Sequence, residues 1–266
     1  MTLKAQYGPW AVIAGASEGI GRALARRLAS EGIHCVLVAR RTEPLEALAE
    51  GLKSEFGVEC ITASVDLSAL DACEQIERAV GEREIGLYVS NAGADPNGAH
   101  FLDRPAEAWL AQVQRGAMTM LGCCHKFGSK MKARGRGGIL LIGSGGCYGG
   151  APFMATYSAL KAFGLNFAES LWAELEPHGV DVLYMALGAT DTPALRRLLE
   201  SKGTRLFPGL AEPDAIAEVA LARLPHGPLH NWGQDDEAPG MSPVSAAQRR
   251  ARVLAIARAS KRIFGG

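Results

Sequence analysis

The sequence predicts an α/β protein built on a doubly wound parallel sheet of about seven strands, with helices on both faces. Two observations carry this prediction. Short apolar runs alternate with helix-length periodic segments almost from end to end, and the runs are so continuously apolar that both faces of each strand must be buried. Strands of this kind are typical of parallel sheets that helices cover on each side.

The predicted strands follow one another along the chain, and one or more helical stretches separate each from the next. They are WAVIAG, HCVLVAR, ECITASV, IGLYVSN, GGILLIGS and VDVLYMALG, with PLHNW at residues 228–232 as a seventh. A repeated strand, helix, strand order predicts parallel pairing.

Two of the intervening helices have unusual compositions. Residues 109–127 read as one amphipathic helix with Gly116 in its middle, where glycine costs about 1 kcal/mol relative to alanine. Its apolar stripe consists of Leu110, Val113, Ala117, Leu121, Cys124 and Phe127. The helix at residues 155–176 is apolar on most sides. Since one sheet covers only one face of a helix, its second face predicts a contact between subunits.

We expect a single domain over residues 1–242, followed by a basic helical tail at 243–266. With 266 residues, 48% of them hydrophobic, the chain is long enough for one large core. Residues 193–214 interrupt the alternation with a short helix and a loop that contains Gly and Pro, and they are expected to form a lid. The tail is expected to pack on its own domain or a neighbouring subunit, with a membrane surface or nucleic acid as the alternative.

Charge and cysteine usage argue against several classes of function. Basic and acidic residues number 28 each, so no overall field favours nucleic acid or an anionic membrane as a partner. The six cysteines lack CxxC pairs and spaced histidines, which argues against a metal site and a disulfide framework. The sequence has no signal-peptide pattern and no apolar run of about 18 residues. We therefore expect a cytoplasmic protein with no stable membrane anchor.

A glycine-rich turn follows the first predicted strand directly. The segment Gly15-Ala-Ser-Glu-Gly19-Ile-Gly21 leads from the strand into a helix. Without Cβ atoms the backbone can turn sharply and approach a pyrophosphate, which then lies at the positive N-terminal end of the helix. The strand before and the helix after make this a specific signal for a dinucleotide.

The end of the second strand bears on which dinucleotide binds. In the segment VLVARRTE, Ala39 stands where an acidic residue would bind the ribose 2′-hydroxyl of NAD, and Arg40 and Arg41 follow it. Two planar cations suit a 2′-phosphate, so NADP(H) is favoured over NAD(H). The alternative is a pair of solvated arginines at a helix start, and the nearby acids Glu18 and Glu43 weaken the preference.

Three polar residues near the fifth strand suggest proton-transfer chemistry. Tyr157 and Lys161 are four residues apart, on one face of a helix. An ammonium group beside a phenol favours the phenolate, which lowers the tyrosine pKa from about 10 towards neutrality. Ser144 ends the fifth strand, where its hydroxyl can hydrogen-bond a carbonyl oxygen.

Taken in order, these motifs resemble the short-chain dehydrogenase/reductase family of the classical type. The glycine turn, the Asn91-Ala92-Gly93 segment after the fourth strand, and a serine thirteen residues before the tyrosine match its pattern. Asp66-Leu67 and the segment LGATDT at residues 187–192 extend the match, which spans about residues 8–232. Ala14 replaces the usual threonine and Leu187 the usual proline.

The resemblance implies a Rossmann-type fold and hydride transfer between a nicotinamide and a substrate carbon. Tyr157 would give or take the proton, and Ser144 would orient the carbonyl. Lys161 would lower the tyrosine pKa and hold the nicotinamide ribose. Thr192 would hold the nicotinamide amide. The predicted cofactor-binding residues are Gly15, Ser17, Glu18, Gly19, Ile20, Gly21, Arg40, Arg41, Asp66, Leu67, Asn91, Ala92, Gly93, Tyr157, Lys161, Leu187, Gly188, Thr190 and Thr192.

The substrate is defined only by class. Pocket walls are expected at Asp95, Cys147, Tyr148 and Phe153 and in the lid after Thr192. The leucines of the lid favour an apolar or aromatic carbonyl or alcohol, and the alternative is that they simply pack the lid. The leading hypothesis is an NADP(H)-dependent carbonyl reductase or alcohol dehydrogenase (EC 1.1.1.-) that forms a homodimer or homotetramer, as is usual in this family. The alternatives are a cofactor-binding sensor or weakly active protein, and an enzyme that reduces C=N or C=C bonds.

Gly116 is the position where the catalytic pattern departs from the family. The usual asparagine is found by counting from a tryptophan and a methionine, and both Trp109, seven residues before, and Met131, fifteen residues after, point to Gly116. The resemblance implies that this asparagine sustains a helix kink and holds a water in the proton relay. A glycine there predicts a slowed or altered relay and extra room beside the active site.

Overall fold

The sheet contains all seven predicted strands. The computed structural model describes residues 2–93, 98–206, 208–233, 258 and 262. Its strands are β1 (Trp10–Ala14), β2 (His34–Ala39), β3 (Cys60–Ser64), β4 (Ile85–Ser90), β5 (Gly137–Ile142), β6 (Val180–Ala186) and β7 (Leu229–Asn231). All neighbours pair in parallel, in the order β3-β2-β1-β4-β5-β6-β7. The predicted fold class, a Rossmann-type parallel sheet, is confirmed.

Helices pack on both faces of this sheet. Those in the described part of the chain are α1 (Leu3–Tyr7), α2 (Gly19–Ser30), α3 (Thr42–Phe56), α4 (Ala72–Val80), α5 (Ala106–Val113), α6 (Thr119–Arg134), α7 (Ala155–Leu175), α8 (Pro193–Ser201) and α9 (Pro213–Arg223). Side chains of α2, α3 and α9 share one buried cluster, and those of α4, α6 and α7 share another. Alternate strand residues face opposite clusters, as Ile13 and Val12 do in β1, so both faces of the sheet are buried.

The strand order locates the binding crevice. From β1 the chain runs outward to β2 and β3, then crosses to the other side of β1 to begin β4. Ala14 and Ser90 lie opposite each other at the carboxyl ends of β1 and β4, and the loops that follow them run in different directions. A crevice opens at such a reversal point in open parallel sheets.

The predicted helix over residues 109–127 is helical throughout, but it is not α-helical throughout. A π-helical turn at Gln114–Met118, which contains Gly116, separates α5 from α6. The wider turn changes the phase of the apolar period, and Leu110 and Leu121 are 65% and 41% exposed instead of buried. Single π turns of this kind are frequent at functional sites.

The predicted lid contains α8 and the loop that leads to α9. Thr192 is the N-cap of α8, and its Oγ1 accepts the backbone N–H of Leu195 at 3.2 Å. A bridge between Thr190 and Ala211 closes the loop at its base. Asp95 and the tail at 243–266, apart from Arg258 and Arg262, lie outside the described residues.

Membrane-spanning helices, metal clusters and disulfides are absent from the part of the chain that the structure describes. No described helix is both long and apolar enough to cross a bilayer. The described residues contain no cluster of three or more His, Cys, Asp or Glu side chains suited to a metal ion. All six cysteines are free thiols, and the Sγ atoms of Cys73 and Cys123 lie 3.6 Å apart.

Candidate active site

A cleft of about 870 Å³ lies at the carboxyl ends of the strands and gathers nearly all of the predicted catalytic and cofactor-binding residues. It is lined by Gly15, Ser17, Glu18, Gly19, Ile20, Arg40, Arg41, Asp66, Leu67, Asn91, Ala92, Gly93, Ser144, Tyr157, Lys161, Leu187, Gly188, Thr190 and Thr192. Gly21 does not line the cleft, because it is buried against the carbonyl oxygen of Gly15.

The glycine turn has the shape that a close ligand approach requires. Gly15 has φ +93°, and a Cβ there would lie 2.9 Å from the backbone nitrogen of Ala92. Gly19 has φ +54°, and its Cβ would lie 3.0 Å from Thr192 Cγ2. Side chains at either position would therefore be strained and would fill space between the turn and its neighbours. Asn91 Nδ2 donates to the carbonyl oxygen of Gly15 at 2.8 Å and fixes the turn from β4.

Helix α2 begins at this turn without a side-chain cap. Its N-cap residue, Glu18, makes no capping hydrogen bond, so the first N–H groups of a twelve-residue helix remain available at the cleft. A helix N-terminus with free N–H groups attracts anions such as phosphates. The backbone thus fits a dinucleotide pyrophosphate at the place that the sequence predicted.

The Glu18 carboxylate instead joins two arginines from distant parts of the chain. Arg41 donates to it at 2.5 Å from the end of β2, and Arg197 donates to both of its oxygens from the predicted lid helix α8. Burial alone would raise the pKa of Glu18, but the hydrogen bonds and charges of Arg197 and Arg41 outweigh it and lower that pKa. Glu18 is therefore ionised at neutral pH and partly neutralises the positive charge at this end of the cleft.

Arg40 and Asp66 lie at the outer part of the cleft. Arg40 is exposed and has no ion-pair partner in the described part of the chain. Asp66 accepts two hydrogen bonds from Ser68, from the backbone nitrogen at 3.0 Å and from Oγ at 2.7 Å, and these bonds lower its pKa. Asp66 thus shapes the turn after β3 while its side chain remains at the cleft wall.

Ser144 and Tyr157 both line the cleft and lie beside the same residue, Gly146. Ser144 follows β5 and caps a short turn, where its Oγ accepts the backbone N–H of Gly146 at 3.1 Å. A Cβ built on Gly146 would lie 3.4 Å from Tyr157 Cε1 and 3.5 Å from Ser144 Oγ. The two hydroxyl-bearing side chains therefore flank one small residue, and the Ser144 hydroxyl donates no hydrogen bond to the residues that the structure describes.

Lys161 lies one helical turn after Tyr157 on α7. Its Nζ donates to the carbonyl oxygen of Ile142 at 3.0 Å and lies 5.5 Å from the centre of the Tyr157 ring. Burial lowers the pKa of Lys161 to about 8. A Cβ on Gly93 would lie 3.1 Å from this amine, so the turn after β4 also borders the lysine. The arrangement brings a serine, a tyrosine and a titratable lysine to one wall of the cleft.

Comparison with known proteins agrees with this geometry. The short chain dehydrogenase family model matches residues 9–203. This chain belongs to the short-chain dehydrogenase/reductase family. It is 31% identical over 226 residues to 7beta-hydroxysteroid dehydrogenase from Mediterraneibacter gnavus, covering 84% of this chain and 86% of that protein.

Solved structures place this short-chain dehydrogenase in the same fold. A structure from a study of 7beta-hydroxysteroid dehydrogenase stereoselectivity matches with a TM-score of 0.80 and 30% identity, over 88% of this chain and 91% of the other. A short-chain dehydrogenase from Sphingobium yanoikuyae in complex with NADPH matches with a TM-score of 0.77 and 28% identity, over 94% of each chain. The chain is thus a member of an oxidoreductase family.

Tyr184 is a supporting residue of this short-chain dehydrogenase that the sequence analysis missed. It is 2% exposed in β6, and its hydroxyl donates to the carbonyl oxygen of Lys161 at 2.9 Å and accepts the backbone N–H of Ser144 at 3.3 Å. Its ring occupies the space that side chains at Gly143 and Gly164 would need. The signal in the sequence was the one aromatic residue of this strand, VDVLYMA.

Three of the residues predicted as substrate-pocket walls do not line the cleft. Cys147 is buried, the Tyr148 hydroxyl donates to Asn231 Oδ1 at 2.5 Å, and the Phe153 ring lies 4.1 Å from that of His100. The part of these three residues in substrate binding stays a prediction. The predicted lid does line the cleft, through Ala194, Leu195, Arg197, Leu198 and Ser201. Arg115 and Met154, which the sequence analysis did not single out, line it as well.

Proposed function

We propose that this short-chain dehydrogenase is an NADP(H)-dependent carbonyl reductase or alcohol dehydrogenase (EC 1.1.1.-). The observation that carries the proposal is the meeting of Ser144, Tyr157 and Lys161 in one cleft with an uncapped helix N-terminus. The first group can bind and protonate a carbonyl oxygen, and the second can hold a phosphate. Few other reactions use both at one site.

The cleft fits a nicotinamide dinucleotide along its length. The turn from Gly15 to Ile20 would hold the pyrophosphate, Asn91 to Gly93 would border the nicotinamide side, and Asp66 would border the adenine. When bound, the cofactor would supply the hydride acceptor or donor. Arg40 has no ion-pair partner within the described residues and is exposed, which supports a phosphate at the ribose and hence NADP(H).

The chain's own groups divide the proton chemistry between them. The Ser144 hydroxyl can donate to the carbonyl oxygen and orient it, while the Tyr157 hydroxyl gives it a proton during reduction and takes one during oxidation. The Lys161 ammonium, 5.5 Å from the tyrosine ring, would stabilise the phenolate that remains. Tyr184 would keep the serine and lysine backbones at a fixed spacing.

The proposed substrate is a bulky apolar ketone or secondary alcohol. The cleft is large, and its wall near Tyr157 and along α8 carries Met154, Leu195 and Leu198. Apolar walls with a few polar groups at the reacting atoms are typical of sites for apolar small molecules. The similarity to a protein named for a hydroxysteroid substrate supports the same class.

The second candidate is a cofactor-binding protein with little catalysis. The observation that favours it is Gly116, since the family's usual asparagine is missing from a position that lines the same small cavity as Lys161. Reduction of a C=N or C=C bond would use the same tyrosine and remains a further alternative.

A homo-oligomer is the proposed assembly. The outer surface formed by α5, the π turn, α6 and α7 exposes four large apolar side chains. These are Leu110, Met118, Leu121 and Phe163, which are 65%, 55%, 41% and 40% exposed. We refer to them as the apolar helix surface. Burying such a surface against a second copy is the usual reason for its presence on a soluble enzyme.

A substrate screen tests the proposed function. The purified protein would be mixed with NADPH or NADH and a panel of cyclic, aryl and steroidal ketones, with imines and enones included, and cofactor oxidation would be followed by absorbance. We expect turnover of bulky ketones with NADPH and its loss in Tyr157→Phe, whose cofactor affinity should be retained. Cofactor binding without turnover of any compound would overturn the proposal in favour of the sensor.

A further inference from the structure

A second, much smaller cavity borders Lys161. It measures about 30 Å³, and Lys161 lines both this cavity and the large cleft, so its side chain lies at the boundary between the two. Gln112, Gly116, Leu160 and Tyr184 also line the small cavity. A water molecule needs about 10–15 Å³ of such space, so the cavity has room for roughly two.

Gln112 brings an amide group to this cavity. The residue is 3% exposed, and neither its Oε1 nor its Nε2 has a hydrogen-bond partner in the described part of the chain. Buried polar groups in folded proteins are nearly always bonded, either to protein groups or to ordered water. Ser158 Oγ and Arg134 Nε are also buried without a hydrogen bond among the described residues, but neither residue lines the cavity.

The absence of a side chain at Gly116 provides the space. Gln112 lies four residues before Gly116, at the end of α5 where the π turn begins, so the two positions are one turn apart. A Cβ on Gly116 would lie 3.2 Å from Leu160 Cδ1, and a longer side chain would enter the cavity. Gly116 therefore leaves space in the cavity, and one turn earlier Gln112 supplies a buried amide that lacks a hydrogen bond among the described residues.

We propose that Gln112 is a positioning residue whose amide holds water in this cavity beside Lys161, and that this water returns the protons consumed in carbonyl reduction. The inference rests on the proposed function. In each turnover, one proton passes from Tyr157 to the substrate oxygen, one from the Lys161 ammonium towards the Tyr157 phenolate, and one from water to Lys161. The water regains its proton from solvent, and no electrons move in these steps.

Two properties of Lys161 agree with this role. Its Nζ uses one of its hydrogens on the Ile142 carbonyl at 3.0 Å, which leaves the others available to neighbours in the cavity and the cleft. Burial lowers the pKa of Lys161 to about 8, so the amine can exchange protons readily near neutral pH. After the Lys161 amine has given up a proton, it must be protonated again. Water in the small cavity would be the source of that proton.

Substitution of Gln112 by methionine tests the proposal, because methionine keeps the length of the side chain and removes the amide. We expect kcat for ketone reduction to fall about tenfold, a modest share of the effect of general acid catalysis. KM and the NADPH dissociation constant should be unchanged, and the solvent deuterium isotope effect on kcat should rise because proton return becomes slower. Unchanged kcat and isotope effect in Gln112→Met would overturn the proposal.

The matched control is Gln114→Met, two residues further along. Gln114 Nε2 donates to the carbonyl oxygen of Ala69 at 3.4 Å and does not line the cavity. Its substitution should leave kcat and the isotope effect as they are in the wild type. Adding Gly116→Asn to Gln112→Met should restore kcat at least threefold, since the new amide would enter the same cavity after a small shift of Leu160.

A crystal structure of the wild-type protein supplies a readout that needs no turnover. We expect ordered water within hydrogen-bonding distance of both the Gln112 amide and Lys161 Nζ, and a dry cavity would overturn the proposal. If the water is present and the wild type reduces no carbonyl compound, the proposed function fails while the water site stands. The two failures are therefore distinguishable.

Discussion

Tyr184 donates its hydroxyl hydrogen to the backbone carbonyl of Lys161 at 2.9 Å and so ties β6 to the catalytic helix. The same oxygen accepts the backbone N–H of Ser144 at 3.3 Å. Because the ring is buried and fills the space beside Gly143, it has no room to move away. One phenol therefore sets the spacing between the backbones that carry the serine and the lysine.

Removing this hydroxyl should harm both stability and catalysis. In Tyr184→Phe the Ser144 N–H and the Lys161 carbonyl lose a buried partner, which should lower the free energy of unfolding by about 1–3 kcal/mol. We expect kcat to fall several-fold as well, measured beside urea denaturation. Tyr88→Phe is the matched control, since Tyr88 is 1% exposed in β4 and should lose stability without loss of kcat. Equal kcat values for the two variants would contradict this role of Tyr184.

Lys161→Met should stabilise the protein without cofactor while abolishing its activity. Burial lowers the pKa of Lys161 from 10.5 to about 8, so the charged amine destabilises the folded state at pH 7. Allowing for the lost bond to Ile142, the gain should be about 1–3 kcal/mol.

The gain in stability from Lys161→Met should depend on pH. Between pH 8 and 10.5 the unfolded chain holds the lysine proton and the folded chain does not, so wild-type stability rises with pH. The advantage of Lys161→Met should therefore be full below pH 8 and shrink towards pH 10.5. Urea denaturation at pH 7 and pH 10 measures it, and an advantage that does not change with pH would contradict the explanation.

Arg40→Asp should change the preferred cofactor. An aspartate at this exposed position would repel a 2′-phosphate and could accept the ribose hydroxyls instead. We expect at least about tenfold weaker NADPH binding, the effect of losing one charge-assisted contact, together with tighter NADH binding. Fluorescence titration with both cofactors measures the change. A wild type that already prefers NADH would remove the basis of this prediction.

Glu18→Gln should strengthen NADPH binding. The carboxylate holds Arg41 and Arg197 by ion pairs, and its neutralisation would release both guanidinium groups towards an anionic ligand. We expect about threefold to tenfold tighter binding, equivalent to about 1 kcal/mol, with a steeper dependence on salt. Glu43→Gln is the control, because that exposed acid has no ion-pair partner within the described residues. Weaker binding by Glu18→Gln would show that the ion pairs shape the site.

Charge placed on the apolar helix surface should dissociate the proposed oligomer. Phe163→Arg would put a cation in the middle of a contact that depends on apolar burial. Analytical ultracentrifugation should show an oligomer for the wild type and a monomer for this variant. Leu206→Arg, at an exposed leucine of the predicted lid, should sediment as the wild type does. A monomeric wild type at micromolar concentration would refute the assembly.

Local sequence signals were enough to predict the sheet and the cleft. Continuous apolar runs defined all seven strands, and the glycine spacing placed the turn between β1 and α2, because both features depend on neighbours in the chain. Once the strand order is given, the carboxyl ends of β1, β4 and β5 must converge. Ser144 and Asn91 therefore fall in one cleft without further information.

The features that the sequence analysis missed depend on contacts between distant segments. The π turn at Gln114–Met118 changes a hydrogen-bond register, and the sequence marked its place only through Gly116 and the helix kink that the family resemblance implies there. Glu18 and Arg197 are 179 residues apart, and their contact exists only because α8 folds over the glycine turn. The contacts of Tyr148 with Asn231 and of Phe153 with His100 likewise join distant segments, so residue spacing does not reveal them.

The central position of β1 has a consequence for how such an enzyme can change over time. The groups expected to choose between cofactors follow β2, whereas Ser144 follows β5 and Tyr157 and Lys161 lie on α7, which comes after β5 on the far side of β1. Substitutions at Arg40 and its neighbours thus leave Ser144 and Lys161 in place. Evolution can therefore switch an enzyme with this layout between NADPH and NADH by a few substitutions, while the residues that transfer protons stay unchanged.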